Sequence, residues 1–480
     1  MERVSQSPEH RAPKSPIRFG TDGWRAVMAE EFTFANVRKV AWALGHWMQK
    51  NAPGKAVFVG YDRRFASREF AEEAASVTAG AGIETRLAND ILPTPAFSYL
   101  AKKSKAYALI VTASHNPPTH NGLKIKTPDG ASAPVRMTKE IEFLTLQAPE
   151  ELPKTRCLAD GTLRREYVSY LRQMAVRVRS KLRGKKIAVD YLHGSGAGFL
   201  EEALGERSIV ARRKERDPEF GGIAPEPIEK NMGELKTLVK KSKALLGVAL
   251  DGDGDRVSLV DDKGNYLAPT TVFPMYAYYL ALHKKNRGEI VQGVSLGYLG
   301  ERVARKAGLP FAWVPVGFKN IAERMVAGDV LLGGEESGGY ALGRLLPDRD
   351  GSANALLMVE LLLELGLKPS QLVERIFKEF GPSYYERFDL HLSETVQADA
   401  FREAAVSELL PGLESSGYRL KEKVMIDGLK AFFDNGSWLL LRPSGTEPLV
   451  RIYAESATKK MTRELLGLAS GWAKTKLSSK

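Results

Sequence analysis

The sequence predicts an α/β protein in which three units of similar plan are followed by a smaller α+β domain. Short apolar runs alternate with amphipathic stretches along most of the chain, a pattern typical of mostly parallel sheets covered by helices. This alternation restarts twice. The last part of the chain instead carries several short strands joined by tight turns, which indicates an antiparallel sheet.

Each of the three units contains a strand that leads into a helix. The predicted elements are strands over 56–60, 106–111, 186–190 and 289–294, and helices over 68–81, from Gly198 and over 302–306. A glycine-containing turn separates the strand from the helix in the second and third units. The units share too few identical residues to form a sequence repeat, so their similarity rests on the order of their elements.

The C-terminal domain has a different order of elements. It is predicted to contain strands over 388–392, 423–426, 430–433, 438–441 and 449–454, a helix over 398–410 and a closing helix from Thr458. We place the four domains at 16–150, 151–257, 258–372 and 373–480. The polar, proline-rich residues 1–15 before them are expected to be a disordered tail.

The composition is that of a globular protein of 480 residues, with 43% hydrophobic and 27% charged residues. No apolar run reaches the ~18 residues of a membrane span, because the richest one, 353–367, is interrupted by Glu360 and Glu364. The N-terminal residues lack the apolar segment of a secretory signal. The single cysteine, Cys157, excludes an intrachain disulfide. We therefore expect a cytoplasmic protein with no membrane association.

The net charge of +12 suits an anionic partner, such as a nucleic acid, an anionic membrane or a phosphorylated substrate. Two basic clusters, at 102–105 and 212–214, lack the interleaved aromatic residues that would stack on bases. We interpret both clusters as solvated helix faces and expect no nucleic-acid partner.

A segment containing a serine follows the first unit's strand over 106–111. Residues 112–118 read Thr-Ala-Ser-His-Asn-Pro-Pro, and the prolines prevent a helix from continuing there. A hydroxyl just past a strand end lies where α/β folds place their ligands, so Ser114 could serve in nucleophilic or phosphoryl chemistry. A polar turn without chemistry is the alternative. Residues 121–124, Asn-Gly-Leu-Lys, are predicted to form a turn that delivers Lys124 to a phosphate or to proton transfer.

Three carboxylates alternate with glycines after an apolar strand of the second unit. Asp251, Asp253 and Asp255 can converge on one hard cation, and Mg²⁺ suits a few carboxylates joined by a phosphate oxygen. Without a cation, three carboxylates this close would repel one another. An EF-hand would need Gly at the sixth position and Glu at the twelfth, where this chain has Arg256 and Asp262. We predict a Mg²⁺ site, with a solvated acidic turn as the alternative.

Two further loops have the composition of sugar- and phosphate-binding segments. Residues 333–339, Gly-Gly-Glu-Glu-Ser-Gly-Gly, place Glu335 and Ser337 where they can hydrogen-bond to sugar hydroxyls. Residues 442–448, Arg-Pro-Ser-Gly-Thr-Glu-Pro, combine an Arg fork, two hydroxyls and a glycine backbone that together can cradle a phosphate, and Arg451 can add a second cation. Taken singly, an ordinary loop and a plain hairpin turn are the alternatives.

These four loops resemble, in order, the phosphoserine, metal, sugar and phosphate loops of the α-D-phosphohexomutase superfamily. Residues 19–25, Phe-Gly-Thr-Asp-Gly-Trp-Arg, are similar to the opening motif of that family. The resemblance spans nearly the whole chain, from residue 19 to residue 451. It implies a heart-shaped, four-domain protein in which three related α/β domains and a C-terminal α+β domain surround a central cleft.

The resemblance also implies a role for each loop. By this resemblance, the catalytic residues would be Ser114, His115, Lys124 and Arg25. The metal ligands would be Ser114, Asp251, Asp253 and Asp255. The substrate-binding residues would be Arg256, Lys319, Glu335, Ser337, Arg442, Ser444, Gly445, Thr446 and Arg451. Arg25 and Lys124 would be the general acid/base candidates. A phosphoryl group on Ser114 would pass to a hexose phosphate, and the bisphosphorylated sugar would turn around and return its other phosphate. Mg²⁺ would be the cofactor, with glucose 1,6-bisphosphate as activator.

The sugar loop favours glucose phosphate as substrate. Residues 334–339 differ at Glu336 and Gly339 from the Gly-Glu-Gln-Ser-Gly-His of phosphoglucosamine mutases and the Gly-Glu-Met-Ser-Gly-His of dual mannose/glucose enzymes. Glucose-type enzymes, with Gly-Glu-Glu-Ser, are the closest fit. Phosphomannomutase and phosphoglucosamine mutase are the alternatives, and residues 316–320 are expected to help distinguish sugar epimers.

Two other classes of protein are weighed against the mutase. A phosphatase that passes the phosphoryl group from Ser114 to water would have no need of the loop at 442–448. A nucleic-acid-binding protein would leave the three aspartates unexplained. We therefore expect a phosphohexomutase, either a monomer or a dimer.

Overall fold

The chain folds into four sheets that follow one another in sequence, in a computed structural model that describes residues 17–444 and 447–478. The tail predicted at 1–15 lies outside the described residues. In the part of the chain that the structure describes, no helix combines the length and the apolar character needed to cross a membrane.

The first sheet has six strands and lies between helices. Its strands are β1 (Trp24–Val27), β2 (Val57–Tyr61), β3 (Thr85–Ala88), β4 (Tyr107–Val111), β5 (His120–Lys126) and β6 (Ala159–Asp160). The helices of this unit are α1 (Phe34–Asn51), α2 (Ser67–Gly80), α3 (Thr94–Ser104) and α4 (Val135–Thr145). The strand order is β1-β5-β4-β2-β3-β6.

The second and third units have smaller sheets. The second contains α5 (Thr162–Lys181), β7 (Ile187–Asp190), α6 (Phe199–Leu204), β8 (Ile209–Arg212), α7 (Gly233–Ser242), β9 (Leu246–Leu250), β10 (Val257–Val260) and β11 (Tyr266–Leu267). The third contains α8 (Pro269–Ala277), β12 (Glu289–Gly293), α9 (Leu299–Ala307), β13 (Phe311–Val314), α10 (Phe318–Ala327), β14 (Val330–Gly334), β15 (Tyr340–Leu342), α11 (Gly351–Leu365) and α12 (Pro369–Phe380).

The three α/β sheets share one topological pattern. In each, three neighbouring strands are parallel and a fourth is antiparallel to the third: β3-β2-β4 with β5, β8-β7-β9 with β10, and β13-β12-β14 with β15. In each, the loop between the last parallel strand and the antiparallel strand is one of the three loops singled out in the sequence. The similar plan of the units is therefore present in the fold, although it is too faint to appear as a sequence repeat.

The fourth sheet is antiparallel throughout, as the sequence predicts. It contains β16 (Tyr384–His391), α13 (Ala398–Ala404), α14 (Leu410–Ser415), β17 (Leu420–Val424), β18 (Leu429–Phe433), β19 (Trp438–Pro443), β20 (Leu449–Ser456) and α15 (Lys459–Ser478). The helix predicted over 398–410 is interrupted by a π-helical turn over 405–409. Pro411, in the first turn of α14, has no N–H for a regular helical bond at this point.

One apolar core runs through the first three units and reaches the fourth. Helix α5 packs against both α3 and α11 where the units meet, and the core includes Phe97, Tyr167 and Leu361 from these three helices. Side chains of β19 alternate between two cores, because successive residues of a strand point to opposite faces. Trp438 joins the large core, whereas Leu439 belongs to the separate core of the C-terminal domain.

The turn predicted at Asn121–Lys124 is wrong, because these residues lie inside strand β5. Asn-Gly commonly marks a turn, but here the glycine is required by close packing between β1 and the segment after β4. A Cβ on Gly122 would overlap the carbonyl oxygen of Trp24 and would lie 2.6 Å from that of Thr112. The strand places Lys124 in the protein interior.

Asp350 joins two of the central helices and provides a stability test. Its carboxylate caps α11 by accepting a 2.9 Å hydrogen bond from the N–H of Ala353, and it accepts a 3.0 Å bond from the hydroxyl of Tyr167 on α5. Burial raises the pKa of Asp350 to about 7. Between pH ~4 and ~7 the folded state therefore keeps a proton that the unfolded state has lost, and this group lowers stability as the pH rises through that window.

We predict that Asp350→Asn, which can make the same bonds without ionising, gains stability relative to the wild type between pH ~4 and ~7 by up to ~1.4 kcal/mol per pH unit. Thermal unfolding at closely spaced pH values measures this difference. Asp217→Asn is the control, because two backbone N–H groups lower the pKa of Asp217, so its stability difference should change with the opposite sign and only below pH ~4. A pH-independent difference for Asp350→Asn would contradict the prediction.

Candidate active site

Ser114 lies in the loop between β4 and β5, with its backbone in the left-handed region at φ 53°. A non-glycine residue in this conformation is strained by about 1 kcal/mol, so the surrounding structure must hold it there. The N–H of Ser114 donates a 2.9 Å hydrogen bond to the hydroxyl of Thr112. Its own hydroxyl donates to Oδ2 of Asp251 at 3.1 Å and lies 3.3 Å from Nδ1 of His115.

Arg64, which the sequence analysis missed, holds the serine loop in place. Its fully buried guanidinium donates hydrogen bonds of 2.7–3.0 Å to the carbonyl oxygens of Ser114, Asn116, Pro117 and His120. Asp62 lies 3.3 Å from Nε of Arg64 and supplies the opposite charge. Both residues directly follow β2, the strand beside β4, so their position past a neighbouring strand end was the signal available in the sequence.

The three aspartates of the second unit converge in the protein interior. One carboxylate oxygen from each of Asp251, Asp253 and Asp255 lies within 4.8 Å of the others, and all three side chains are buried. The predicted alternative of a solvated acidic turn is therefore wrong. Within the described chain, Oδ1 of Asp253 and Oδ1 of Asp255 are buried without a hydrogen-bond partner.

The donor set fits a hard divalent cation. Burial, followed by the neighbouring Asp255 and Asp253 carboxylates, raises the pKa of Asp251 well above its usual value. Buried oxygens that repel one another and lack donors are the ligands that Mg²⁺ would satisfy. The hydroxyl of Ser114, bonded to Asp251, lies at the edge of the same cluster.

Lys124 supplies positive charge to this cluster from β5. Its ammonium group contacts the carboxylates of Asp22 at 2.7 Å, Asp253 at 2.8 Å and Asp255 at 2.9 Å. Burial alone would lower the pKa of Lys124, but the three carboxylates outweigh it and raise the pKa above its usual value. The arrangement therefore holds Lys124 as a cation.

Arg25 and Arg256 surround the serine loop with further positive charge. Arg25, on β1, donates a 3.0 Å hydrogen bond to the side-chain oxygen of Asn116. The NH1 group of Arg256 lies 3.6 Å from Oε1 of Glu226, and the backbone N–H of Arg256 donates a 3.0 Å hydrogen bond to Oδ1 of Asp251. Burial, with Arg256 and Arg25 nearby, holds the pKa of His115 well below its usual range.

The sugar loop joins the third unit to the metal loop and to the C-terminal domain. Oε1 of Glu335 accepts a 3.0 Å hydrogen bond from the N–H of Gly317, and the hydroxyl of Ser337 donates to Oε2 at 3.4 Å. Glu336 points to the C-terminal domain instead, where it accepts 2.8 Å hydrogen bonds from Tyr385 and Arg387 of β16.

The phosphate loop connects β19 to β20 and lies beside the segment at 316–320. Arg442 donates a 2.7 Å hydrogen bond from Nε to Asp427, and the same carboxylate oxygen accepts the N–H of Val316 at 3.1 Å. Arg451 lies opposite Arg442 on β20 and contacts Glu447 at 3.2 Å. The hydroxyl of Ser444 accepts the N–H of Glu447 at 3.2 Å.

The structure thus brings most of the predicted site residues into one chain of contacts. Ser114 is joined to the carboxylate cluster through Asp251, whose carboxylate lies within 4.8 Å of those of Asp253 and Asp255. Polar contacts then continue from Lys124 to Arg442, through Asp255 and Asp22, Arg349, Glu335, residues 316 and 317, and Asp427, and of these links Asp22, Arg349, Gly317 and Asp427 were not predicted from the sequence. Lys319 lies in the first turn of α10 and has no polar partner among the described residues. Gly445 and Thr446 lie outside the described residues.

Comparison with known proteins identifies the family. Four models of phosphoglucomutase/phosphomannomutase domains match the chain in order: α/β/α domain I over 16–151, domain II over 165–264, domain III over 269–380 and the C-terminal domain over 396–466. The chain belongs to the phosphoglucomutase/phosphomannomutase family. The predicted four-domain architecture is confirmed, and the chain is an enzyme, a phosphohexomutase of the isomerase class.

Relatives within the family are named for several sugars. A phosphoglucomutase/phosphomannomutase of Thermococcus kodakarensis is 29% identical over 94% of this chain and 97% of its own length. A phosphopentomutase of the same organism is 30% identical over 94% of this chain and 96% of its own length. A crystal structure from Thermus thermophilus, assigned to the phosphomannomutases, matches with a TM-score of 0.83 at 31% identity over 96% of this chain and 100% of that chain. Similarity alone does not choose the substrate.

We predict that Arg64→Ala lowers the free energy of unfolding by ~3–5 kcal/mol, because it leaves the Asp62 carboxylate buried without a cation and the loop carbonyls without donors. Mutase activity should fall with it, since Ser114 would lose its fixed position. Arg68→Ala is the control, because Arg68 is exposed and, among the residues that the structure describes, forms its ion pair with Glu72 on the same helix. Thermal unfolding and activity measured on both variants test this, and an Arg64→Ala protein equal to Arg68→Ala in both would contradict it.

Proposed function

We propose that this phosphohexomutase is of the phosphoglucomutase type and interconverts glucose 1-phosphate and glucose 6-phosphate through a phosphorylated Ser114. The observation that carries the proposal is the 3.1 Å hydrogen bond between the hydroxyl of Ser114 and Asp251 at the edge of a buried triad of aspartates. A serine hydroxyl beside a divalent-cation site is the arrangement that phosphoryl transfer requires, because the reaction depends on positioning and on neutralised charge.

The metal of the proposed reaction would be Mg²⁺, which Asp251, Asp253 and Asp255 would hold together with a phosphorylated Ser114. The unpartnered Oδ1 atoms of Asp253 and Asp255 support this choice. When bound, Mg²⁺ would neutralise charge on the transferring phosphoryl group.

The chain's own residues position the serine and surround it with cations. Arg64 fixes the loop backbone, so the hydroxyl of Ser114 is held at one place relative to the carboxylates. Nδ1 of His115, 3.3 Å from that hydroxyl, is within reach to hold its proton. Lys124 and Arg25 are the cations around the loop, and we propose that they oppose the negative charge that develops on the substrate oxygens.

The reaction also requires recognition of either end of the sugar. The glucose 1,6-bisphosphate formed by the first transfer must turn around, so the phosphate that does not react has to be held whichever carbon carries it. We propose that Arg442, Ser444, Gly445, Thr446 and Arg451 hold it. Hydrogen-bond donors that bind the phosphate without contacting the sugar suit this task. Two Arg side chains that lie opposite each other on β19 and β20 can provide charge-assisted hydrogen bonds to the phosphate.

We propose that Glu335 and Ser337 bind the sugar hydroxyls and that Arg256 and Lys319 contact the substrate from the neighbouring loops. Burial raises the pKa of Glu335, and its Oε1 already accepts from Gly317 of the segment expected to distinguish epimers. Glu336 favours glucose phosphate over mannose and glucosamine phosphates as the substrate because it matches the Gly-Glu-Glu-Ser pattern of glucose-type enzymes. Its side chain contacts the C-terminal domain, so it would act on the sugar indirectly, by fixing the loop.

The two other classes find less support. A phosphatase would need only the serine and metal loops, whereas here contacts continue from them to Arg442. The nucleic-acid alternative rested on the net positive charge, and one of the basic clusters that contribute to it, at 212–214, is neutralised internally. Arg212 and Arg213 bind Asp190, and Lys214 pairs with Glu201.

We predict that Ser114→Ala abolishes conversion of glucose 1-phosphate to glucose 6-phosphate, because no group remains to carry the phosphoryl intermediate. The assay contains Mg²⁺ and a trace of glucose 1,6-bisphosphate and follows glucose 6-phosphate with its dehydrogenase. Removing divalent cations with EDTA should stop the wild type equally, and Mg²⁺ should restore it. Ser242→Ala, on α7, is the control variant and should retain full activity, since within the described chain its hydroxyl donates to the carbonyl of Leu238 in its own helix.

The same assay distinguishes the substrates and the reaction class. Mannose 1-phosphate and glucosamine 1-phosphate, each with its own detection, should turn over more slowly than glucose 1-phosphate. A preference for either of them would refute the glucose assignment and leave the mutase intact. Release of inorganic phosphate in place of glucose 6-phosphate would instead favour the phosphatase.

A further inference from the structure

Arg349 is a buried arginine that contacts carboxylates from three domains. It lies between β15 and α11, and its NH2 group bonds to Asp22 of the opening motif and, at 2.8 Å, to Asp255 of the metal loop. Its NH1 group lies 3.8 Å from Oε2 of Glu335 in the sugar loop. Only 4% of its surface is exposed, so these carboxylates and not water surround the charge. One guanidinium thus joins the metal loop to the sugar loop.

The space for this side chain is left by Gly339. A Cβ placed on Gly339 would overlap Cδ of Arg349 and would lie 3.0 Å from its Cγ. Gly339 is also one of the two positions at which the sugar loop differs from the patterns of the glucosamine and dual-specificity enzymes, both of which have His there. In this chain the stem of Arg349 fills the volume next to position 339, so the glycine and the arginine form a complementary pair.

One further contact, with the ring of Phe318, fixes the orientation of Arg349. Its guanidinium carbon lies 5.1 Å from the centroid of the Phe318 ring, which supports the planar group from one side. Its Nε is buried and has no hydrogen-bond partner within the described residues. Asp22, in turn, is shared with Lys124, so the guanidinium belongs to the same charge cluster as the metal loop.

We propose that Arg349 is a positioning residue that fixes the metal loop and the sugar loop relative to each other. We propose also that position 339 is a glycine because a side chain there would occupy the space that the stem of Arg349 fills. This inference rests on the proposed function. A planar fork serves two acceptors at fixed angles, whereas an ammonium group is a single point charge, so lysine cannot replace this arginine. Removing the fork should disturb Asp255 and Glu335 together and weaken both cation binding and sugar-phosphate binding.

A purely structural role predicts a different result. A guanidinium that only balances buried charge could be replaced by lysine with loss of stability and little change in the binding of metal or substrate. The deciding measurements are therefore the affinity for a divalent cation without substrate, and the separate values of KM and kcat. Mn²⁺, followed by its EPR signal, serves as the cation probe.

The test compares Arg349→Lys and Gly339→Ala with the wild type. It also compares the double variant Arg349→Ala/Gly339→Ala with the single variant Arg349→Ala. Arg86→Lys is the matched control, because Arg86, on β3, also pairs with an aspartate, Asp160, and its guanidinium carbon also lies 5.1 Å from the centroid of a phenylalanine ring. We expect Arg349→Lys to weaken Mn²⁺ binding ~10-fold or more and to raise KM for glucose 1-phosphate by a similar factor. Arg86→Lys should leave both values within about twofold of the wild type.

Gly339→Ala keeps every charge and tests the same role by displacing the arginine. It should shift Mn²⁺ binding and KM in the same direction as Arg349→Lys, and its effect should largely disappear when Arg349 is already alanine. This double-mutant cycle distinguishes an effect that depends on the Gly339–Arg349 pair from a general loss of stability, which would persist when Arg349 is alanine. If Arg349→Lys does not fold, Gly339→Ala alone carries the test.

A folded Gly339→Ala protein that binds Mn²⁺ and glucose 1-phosphate like the wild type overturns the proposal. So does a folded Arg349→Lys protein whose Mn²⁺ binding and KM match those of Arg86→Lys. A wild type that converts no sugar phosphate would refute the proposed function instead. The Mn²⁺ affinities of the variants would still confirm or overturn the role of Arg349 at the metal loop.

Discussion

The structure depends on balancing negative charge that is buried where the first three domains meet. Asp251, Asp253 and Asp255 converge in an interior where unpaired carboxylates are costly. Lys124 from the first domain opposes Asp253 and Asp255, and Arg349 from the third opposes Asp255. Because these two cations come from other domains, the charges of Asp253 and Asp255 are balanced only when the domains are assembled. The same interactions therefore hold the domains together and shape the candidate metal site.

A repeated topology delivers the groups that meet there. Each of the three α/β sheets uses the loop between its last parallel strand and its antiparallel strand, at 112–119, 251–256 and 335–339, to present a different chemistry. The first presents a hydroxyl, the second carboxylates and the third groups suited to a sugar. The C-terminal domain uses a hairpin instead, and it is joined to the third by Glu336 and by Asp427.

The sequence was sufficient to predict the fold class, the positions of the four loops and, to within a few residues, the strands that lead into them. These features depend on local patterns, such as apolar runs and clusters of glycine with polar residues. It could not reveal Arg64 or Arg349, because their roles come from carbonyls and carboxylates that are distant in sequence. The Asn121-Gly122 pair misled for a related reason. Glycine is required at position 122 because the backbone of β1 packs closely against it, whereas the local sequence pattern indicates only a turn.

Asp427 gives the phosphate loop a built-in competitor. Its carboxylate already occupies the Nε–H of Arg442 and the N–H of Val316. Under the proposed function, an incoming phosphate would bind beside this tethered carboxylate and could exchange with it at Nε of Arg442. A monovalent anion would replace one negative charge by another, whereas a phosphate dianion would gain an additional charge interaction. The tethered carboxylate would in this way favour phosphate over monovalent anions without any steric barrier.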